Sequence, residues 1–102
     1  MVHVIATVSL KPGTRAAFLE IFRRVVPKVR AEAGCIEYGP TIDIASGLPP
    51  QGPLRPDVVV IMEKWESLPA LMAHLQQPHM KAYKQETAAM ALGVALQVLE
   101  PA

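Results

Sequence analysis

Cysteine is almost absent from this chain of 102 residues, since Cys35 is the only one. A single cysteine cannot form a disulfide within the chain, which favours a protein of the reducing cytosol. The start MVHVIATVSL has no basic segment and is too short to span a membrane, so we expect neither a signal peptide nor a transmembrane helix. The sequence therefore predicts a cytoplasmic protein that has no membrane partner.

An excess of charge of one sign is also lacking. Ten Lys and Arg stand against nine Asp and Glu, for a formal net charge of +1. No field therefore attracts the chain to nucleic acid or to anionic lipid, and we expect no nucleic-acid partner. Apolar residues, in contrast, make up 51% of the chain, and only 19% is charged. That apolar surface needs a cover, and self-association would provide one.

The familiar metal and cofactor motifs are missing as well. There is no C-x-x-C or H-E-x-x-H, and His74 and His79 lie on either side of Pro78 without the i,i+4 spacing of two metal ligands on one helix. The glycine-rich nucleotide motifs and the G-x-S-x-G elbow are absent too. The sequence predicts no metal and no cofactor, so an enzyme on this chain would work with acid, base and cavity.

Hydrophobic periodicity predicts a single domain over residues 1–102 with the order β, α, β, β, α(α), β. Strands are predicted at 2–10, 35–44, 57–66 and 94–99, with a long helix from Thr14 that stops before Gly34 and two short helices between Ser67 and Gly93. A split pair of βαβ units gives an α+β, ferredoxin-like plait with a four-stranded antiparallel sheet and helices on one face. The bare face is expected to pack on a second copy, forming a dimeric α+β barrel.

Two features of the connections carry further expectations. The segment SGLPPQGPLRP, residues 46–56, has four Pro and two Gly and must be a loop between adjacent strands. Such a long loop is typical of a lid or a dimer contact, although a plain linker is equally compatible with it. Gly39-Pro40 is a possible β-bulge in the second strand.

Chemical side chains are concentrated between Glu63 and Tyr83, which include the only Trp and two of the three His. Period-two alternation places Glu63 and Trp65 on the same face of the third strand, among apolar side chains. A partly buried carboxylate there would have a raised pKa, although a Glu at a strand end is also often a simple ion-pair partner. His79 falls in the first turn of a helix, where the dipole favours a neutral imidazole that can act as a base.

Three motifs resemble a known family. The pieces E-x-W-E-S, A-H-L-Q-x-P-H-M-K-A-Y and a terminal L-x-P occur here in order, together with GCIEYGPTID in the second strand. They resemble the antibiotic biosynthesis monooxygenase domain family over nearly the whole chain, and within it most of all the cofactor-independent quinol monooxygenase branch. The resemblance implies a homodimer that oxidises a quinol or similar phenol with O2 and needs no flavin, haem or metal.

The resemblance also implies roles for residues at matching positions. His79 or His74 would take the phenolic proton, and Glu63 would orient that imidazole or the substrate. The implied substrate-binding residues are Trp65, Tyr38, Tyr83 and Met62. Of these, Trp65 would stack on the ring, and the two tyrosines would hydrogen-bond the quinol oxygens.

Two other functions stay open at this point. An isomerase-like enzyme that transfers protons on the same fold would use the same residue types and would not need O2. A non-catalytic dimer that binds a small aromatic molecule would bind without turnover. Haem degradation is disfavoured, because haem-degrading relatives use an Asn on the first strand and this strand has Ala6 and Thr7 there.

Overall fold

The strands and helices follow the predicted order. A computed structural model describes all 102 residues, Met1–Ala102. Its elements are β1 (Val2–Leu10), α1 (Arg15–Arg30), β2 (Cys35–Thr41), β3 (Val58–Trp65), α2 (Leu68–His74), α3 (Pro78–Thr87) and β4 (Ala91–Leu99). The four strands form one antiparallel sheet in the order β2-β3-β1-β4. The predicted α+β, ferredoxin-like fold is therefore confirmed.

The core lies between one face of the sheet and the three helices. Alternate residues of β1 and β3 are buried there, as the period of a half-covered strand requires. On α1 the buried positions recur at three- and four-residue spacing, which places one apolar stripe of the helix against the sheet. The buried residues of the three elements are Val4, Ala6, Val8, Leu10, Phe18, Leu19, Phe22, Val25, Val26, Val29, Val59, Ile61, Glu63 and Trp65. This alternation sets the direction of the side chains that β1 and β3 contribute to the candidate site.

The last strand begins earlier than predicted. We expected Gly93 to end the helical part, but α3 ends at Thr87, and Gly93 pairs with Ser9 inside β4. Glycine has a low propensity for strands, but here the backbone hydrogen bonds of the pairing with β1 stabilise it in a strand. Propensity, which depends only on the local sequence, does not include that pairing. The predicted strand 94–99 therefore starts too late in the chain, since β4 begins at Ala91.

The second strand differs from the prediction in two places. It ends at Thr41, so Ile42 and Ile44 lie in the following loop with exposed side chains. The irregular register falls between Cys35 and Glu37, and Pro40 instead pairs regularly with Ile61. Proline is accommodated there because β2 is an edge strand, where one backbone N–H has no neighbour to bond.

The proline-rich segment is a loop, as predicted, and an ion pair closes it. Arg55 donates to both carboxylate oxygens of Asp43, from Nη2 at 2.8 Å and from Nε at 2.9 Å. These hydrogen bonds hold the pKa of the Asp43 carboxyl at about 2. Neither end of that pair contacts the candidate site, so a lid or a dimer contact remains a prediction for this loop. None of the helices is long and apolar enough to cross a membrane.

Candidate active site

A largely apolar cavity of about 300 Å³ lies between the sheet and helices α2 and α3. Ten of its 14 lining residues are hydrophobic, a composition typical of small-molecule sites with a few polar groups to orient the ligand. The polar or phenolic side chains in the wall are Tyr38, Glu63, His74, Tyr83, Lys84 and Thr87. The volume is at the lower end of the range for ligand pockets, which suits a compact ring system.

Glu63 brings a buried carboxyl group into the wall of this cavity. Its side chain points inward from β3, and the residue is only 7% exposed. Oε1 accepts a hydrogen bond from the indole Nε1–H of Trp65 at 2.9 Å. Burial raises the pKa of Glu63 to about 6, even though the Trp65 hydrogen bond opposes that rise. Burial is thus the cause of the raised pKa that the sequence predicts for Glu63.

His74 is the most enclosed imidazole of the chain. It ends helix α2, which begins after Ser67, whose side chain accepts a hydrogen bond from the Ala70 N–H. The ring packs against Trp65 at 4.7 Å and against Tyr38 at 5.3 Å, measured between centroids. Burial lowers the pKa of His74, so the ring is neutral at pH 7.

The two nitrogens of His74 have different surroundings. Nδ1 lies 3.0 and 3.2 Å from the two carboxylate oxygens of Glu32. Nε2 has no protein partner, and no fully buried side-chain nitrogen or oxygen lacks a hydrogen bond in this structure. Nε2 is therefore not fully buried, and His74 is one of the residues that line the cavity.

His79 occupies the predicted position in the first turn of α3 but lies outside the cavity wall. Its Nε2 is 2.7 Å from Oε2 of Glu32. The side chain lines a separate hollow of about 180 Å³ between α1 and α3, together with Arg24 and Glu86. Hydrogen bonds through Glu32 connect His79 to His74, which lines the cavity.

Tyr38 and Tyr83 both line the cavity and have free hydroxyl groups. Neither phenolic oxygen has a hydrogen-bond partner within the protein, and neither is a fully buried, unsatisfied atom. Burial raises the pKa of Tyr83 to about 12, and it raises the pKa of Tyr38 further. Both groups are therefore neutral and able to donate a hydrogen bond to a ligand at any ordinary pH.

Three of the predicted site residues lie elsewhere than in the cavity wall. Trp65 is fully buried behind His74, because its indole is held by Glu63, and it presents no face for stacking on a substrate. Met62 points to the opposite face of the sheet, since it alternates with Ile61 and Glu63, and it is 40% exposed. The third is His79. The residues that the structure does bring together in the cavity are Glu63, His74, Tyr38 and Tyr83.

Glu32 is the functional candidate that sequence reasoning missed. Its side chain is 7% exposed, and it contacts both imidazoles, whereas the predicted support, Glu63, contacts neither. In the sequence it lies in the segment AEAG between α1 and β2, where a glutamate is usually solvated. No periodicity connects it to two histidines more than 40 positions away. Both histidines hydrogen-bond with Glu32 and not with each other, and no group of three or more His, Cys, Asp or Glu is arranged to hold a metal ion.

Comparisons with known proteins agree on one family. Residues 1–86 match the family model described as antibiotic biosynthesis monooxygenase. The chain is 42% identical to "Probable quinol monooxygenase YgiN" of Escherichia coli K12, over 99% of this chain and 98% of that protein. The proteins of that name from Escherichia coli O157:H7 and Shigella flexneri show the same identity and coverage.

Solved structures show the same fold. PA3566 of Pseudomonas aeruginosa matches with a TM-score of 0.80 and 25% identity, over 99% of this chain and 93% of that one. Rv0793 of Mycobacterium tuberculosis matches with a TM-score of 0.79 and 28% identity, over 99% and 94%. With the family model covering most of its length and a relative matching nearly all of it, the chain belongs to the antibiotic biosynthesis monooxygenase family.

Proposed function

We propose that this protein is a cofactor-independent monooxygenase that oxidises a quinol or a similar phenolic small molecule with O2. The name of the relative that is 42% identical, "Probable quinol monooxygenase YgiN", supports this reaction class. The observation that carries the proposal is the imidazole of His74, whose pKa is lowered by burial, in the wall of a largely apolar cavity. Such a group can remove a phenolic proton at pH 7 because it is already in its basic form.

The chemistry needs little more than a base and a dry cavity. Transfer of the phenolic proton to Nε2 of His74 leaves an electron-rich anion, which passes one electron to O2. The resulting radical pair either recombines at a ring carbon or transfers a second electron and proton. Recombination, with return of the proton from His74, gives a ring hydroperoxide, which loses water as its O–O bond breaks and leaves one oxygen atom of O2 on the quinone product. The second transfer gives the unsubstituted quinone and HO2−, which takes the proton from the His74 imidazolium to become H2O2. The proposal requires that the largely apolar walls keep water from separating the pair or protonating it.

The other polar groups of the wall orient the ring in this proposal. Tyr38 and Tyr83 donate hydrogen bonds to the substrate oxygens, since their hydroxyls have no other partner. Glu63 offers its second carboxylate oxygen, because the first is bound to Trp65. Trp65 therefore acts on the substrate indirectly, by holding Glu63 and by packing against His74.

Oxygen uptake tests the proposal directly. Metal-free protein is mixed with a chemically reduced naphthoquinol, and the rate is corrected for spontaneous autoxidation. We expect turnover by the unmodified protein and a loss of roughly 100-fold in kcat for His74→Ala, the usual range for removal of a general base. His3→Ala, on the other face of the sheet, is the matched control and keeps its rate.

Four outcomes would contradict the proposal. No oxygen uptake above the rate of autoxidation argues against oxidation of the quinol by this protein. Unchanged turnover in both His74→Ala and His79→Ala argues against catalysis by an imidazole. Turnover that continues without O2 would instead indicate a proton-transfer enzyme such as an isomerase. Tight binding of the quinol without any turnover would indicate a non-catalytic binding protein.

A further inference from the structure

Glu32 is an enclosed carboxylate held between two imidazoles. It lies in the turn between α1 and β2, where its backbone N–H donates to the Val29 carbonyl at 2.9 Å. One side of its carboxylate faces Nδ1 of His74, and Oε2 also faces Nε2 of His79 at 2.7 Å. A carboxylate so far from water is stable only when such partners hydrogen-bond its oxygens.

These contacts determine which nitrogens carry protons. An ionised carboxylate can only accept hydrogen bonds, so the nitrogens that face Glu32 must be the donors. For a neutral His74 this places the single ring proton on Nδ1 and leaves the lone pair on Nε2. The packing of Tyr38 and Trp65 against the ring prevents it from turning over to exchange the two nitrogens.

We infer that Glu32 is a positioning residue that locks His74 in the Nδ1–H form with its Nε2 lone pair toward the cavity, and that His79 holds Glu32 in place from the other side. The inference rests on the proposed function for its catalytic consequence. When Nε2 takes the phenolic proton, the imidazolium that forms lies against the Glu32 carboxylate. The same contact thus orients the base and stabilises its charged form.

His79 acts through Glu32 and does not act on the substrate. It lines the smaller hollow and not the cavity, and its side chain is 17% exposed against 2% for His74. The other charged groups near this chain of contacts come from three elements. They are Lys84, which faces His74 from α3, Lys28 and the Arg24–Glu86 ion pair beside His79, and Glu63 in the cavity wall. None of these groups forms a hydrogen bond with either ring.

Nuclear magnetic resonance of histidine labelled with ¹⁵N on the ring tests this inference without any substrate. In the unmodified protein above pH 7, we expect His74 to show a protonated Nδ1 and an unprotonated Nε2. In Glu32→Gln, whose amide can either accept or donate, we expect a mixture of both tautomers. Glu37→Gln removes an exposed carboxylate on β2 and serves as the matched control that leaves His74 unchanged.

Kinetics with the reduced naphthoquinol provide the second readout. We expect kcat to fall about 100-fold in Glu32→Gln and about 10-fold in His79→Ala, with KM unchanged in both because neither residue lines the cavity. Glu32→Asp restores part of the lost kcat, since it returns the charge at a longer distance. A structural role alone would lower the folded fraction and would not separate kcat from KM or change the tautomer.

The outcomes distinguish this inference from the proposed function. A His74 in the unmodified protein that carries its proton on Nε2 overturns the inference, whether or not Glu32→Gln folds. Normal turnover with full kcat in folded Glu32→Gln overturns it too. An unmodified protein that consumes no O2 contradicts the proposed function, yet the tautomer measurement still decides the role of Glu32.

Discussion

At the scale of single residues, the buried carboxyl group of Glu63 connects stability to pH. Its pKa is raised to about 6 by burial, compared with 4.5 for a free glutamate, so ionisation is more costly in the folded state. The protein is stabilised by the neutral form below pH 4.5, and that advantage is lost as the pH rises through 6. The indole of Trp65 can hydrogen-bond either form.

We expect Glu63→Gln to gain stability relative to the unmodified protein as the pH is raised. The difference in the free energy of unfolding should grow by about 2 kcal/mol between pH 4 and pH 8, because glutamine has no charge to bury. Urea denaturation at the two pH values measures it. Glu37→Gln, which replaces an exposed carboxylate, should show no such change. If the difference for Glu63→Gln does not vary with pH, Glu63 ionises normally in the folded protein.

At the scale of elements, the turn from α1 to β2 determines where Glu32 lies. Gly34 ends that turn with a φ of +84°, a conformation that residues with a side chain rarely adopt. A Cβ at this position would lie 2.6 Å from Cβ of Ala70 in the first part of α2. The carbonyl of Gly34 also accepts a hydrogen bond from the Glu66 N–H at 2.8 Å. Glycine is thus required here both for its backbone and for its small size.

Replacement of Gly34 by Ala should separate these two requirements when it is compared with Gly13→Ala. Gly13 has a similar φ of +80°, but a Cβ there would meet nothing within 4 Å. We expect Gly13→Ala to cost about 1–2 kcal/mol from the backbone alone, and Gly34→Ala roughly 2–4 kcal/mol because the clash with Ala70 adds to it. Denaturant unfolding of both variants measures the difference, and equal costs would show that α2 moves aside freely.

Element prediction succeeded where the pattern is long and periodic. The alternation along β1 and the stripe on α1 each report a face that the core covers, so these elements were located to within a few residues. The start of β4 at Ala91 and the irregularity at Cys35 were not predicted. Both depend on the register of a neighbouring strand, which leaves no local signal in the residues themselves.

At the scale of the whole molecule, apolar surface remains uncovered on the sheet face that points away from the helices. Met62 and Leu99 are about 40% exposed on that face. Ile5 and Val60 beside them are half-buried. Such a patch on a small domain is typical of an interface, which keeps a homodimer formed through the sheet as our prediction for the assembly.

A charge at the centre of that face should break such a dimer. We expect Met62→Lys to raise the dissociation constant of the dimer by roughly 100-fold or more, since the interface would bury an unpaired ammonium group. Met72→Lys is the matched control, because Met72 is exposed on α2, away from the sheet. Sedimentation equilibrium measures both. A monomeric unmodified protein, or equal dissociation constants for the two variants, would contradict the sheet-mediated dimer.

The amino-acid sequence by itself determined the order of elements, the two faces of β1 and β3, and the family to which the chain belongs. It also placed Glu63 among apolar neighbours and His79 at a helix start, because both follow from positions a few residues apart. Only the tertiary structure decided that Glu32 meets both histidines and that Trp65 is bound by Glu63 and stays out of the cavity. Periodicity reports which side of an element is buried. Contacts between side chains from distant turns depend on how the elements pack, and packing is decided only when the whole chain has folded.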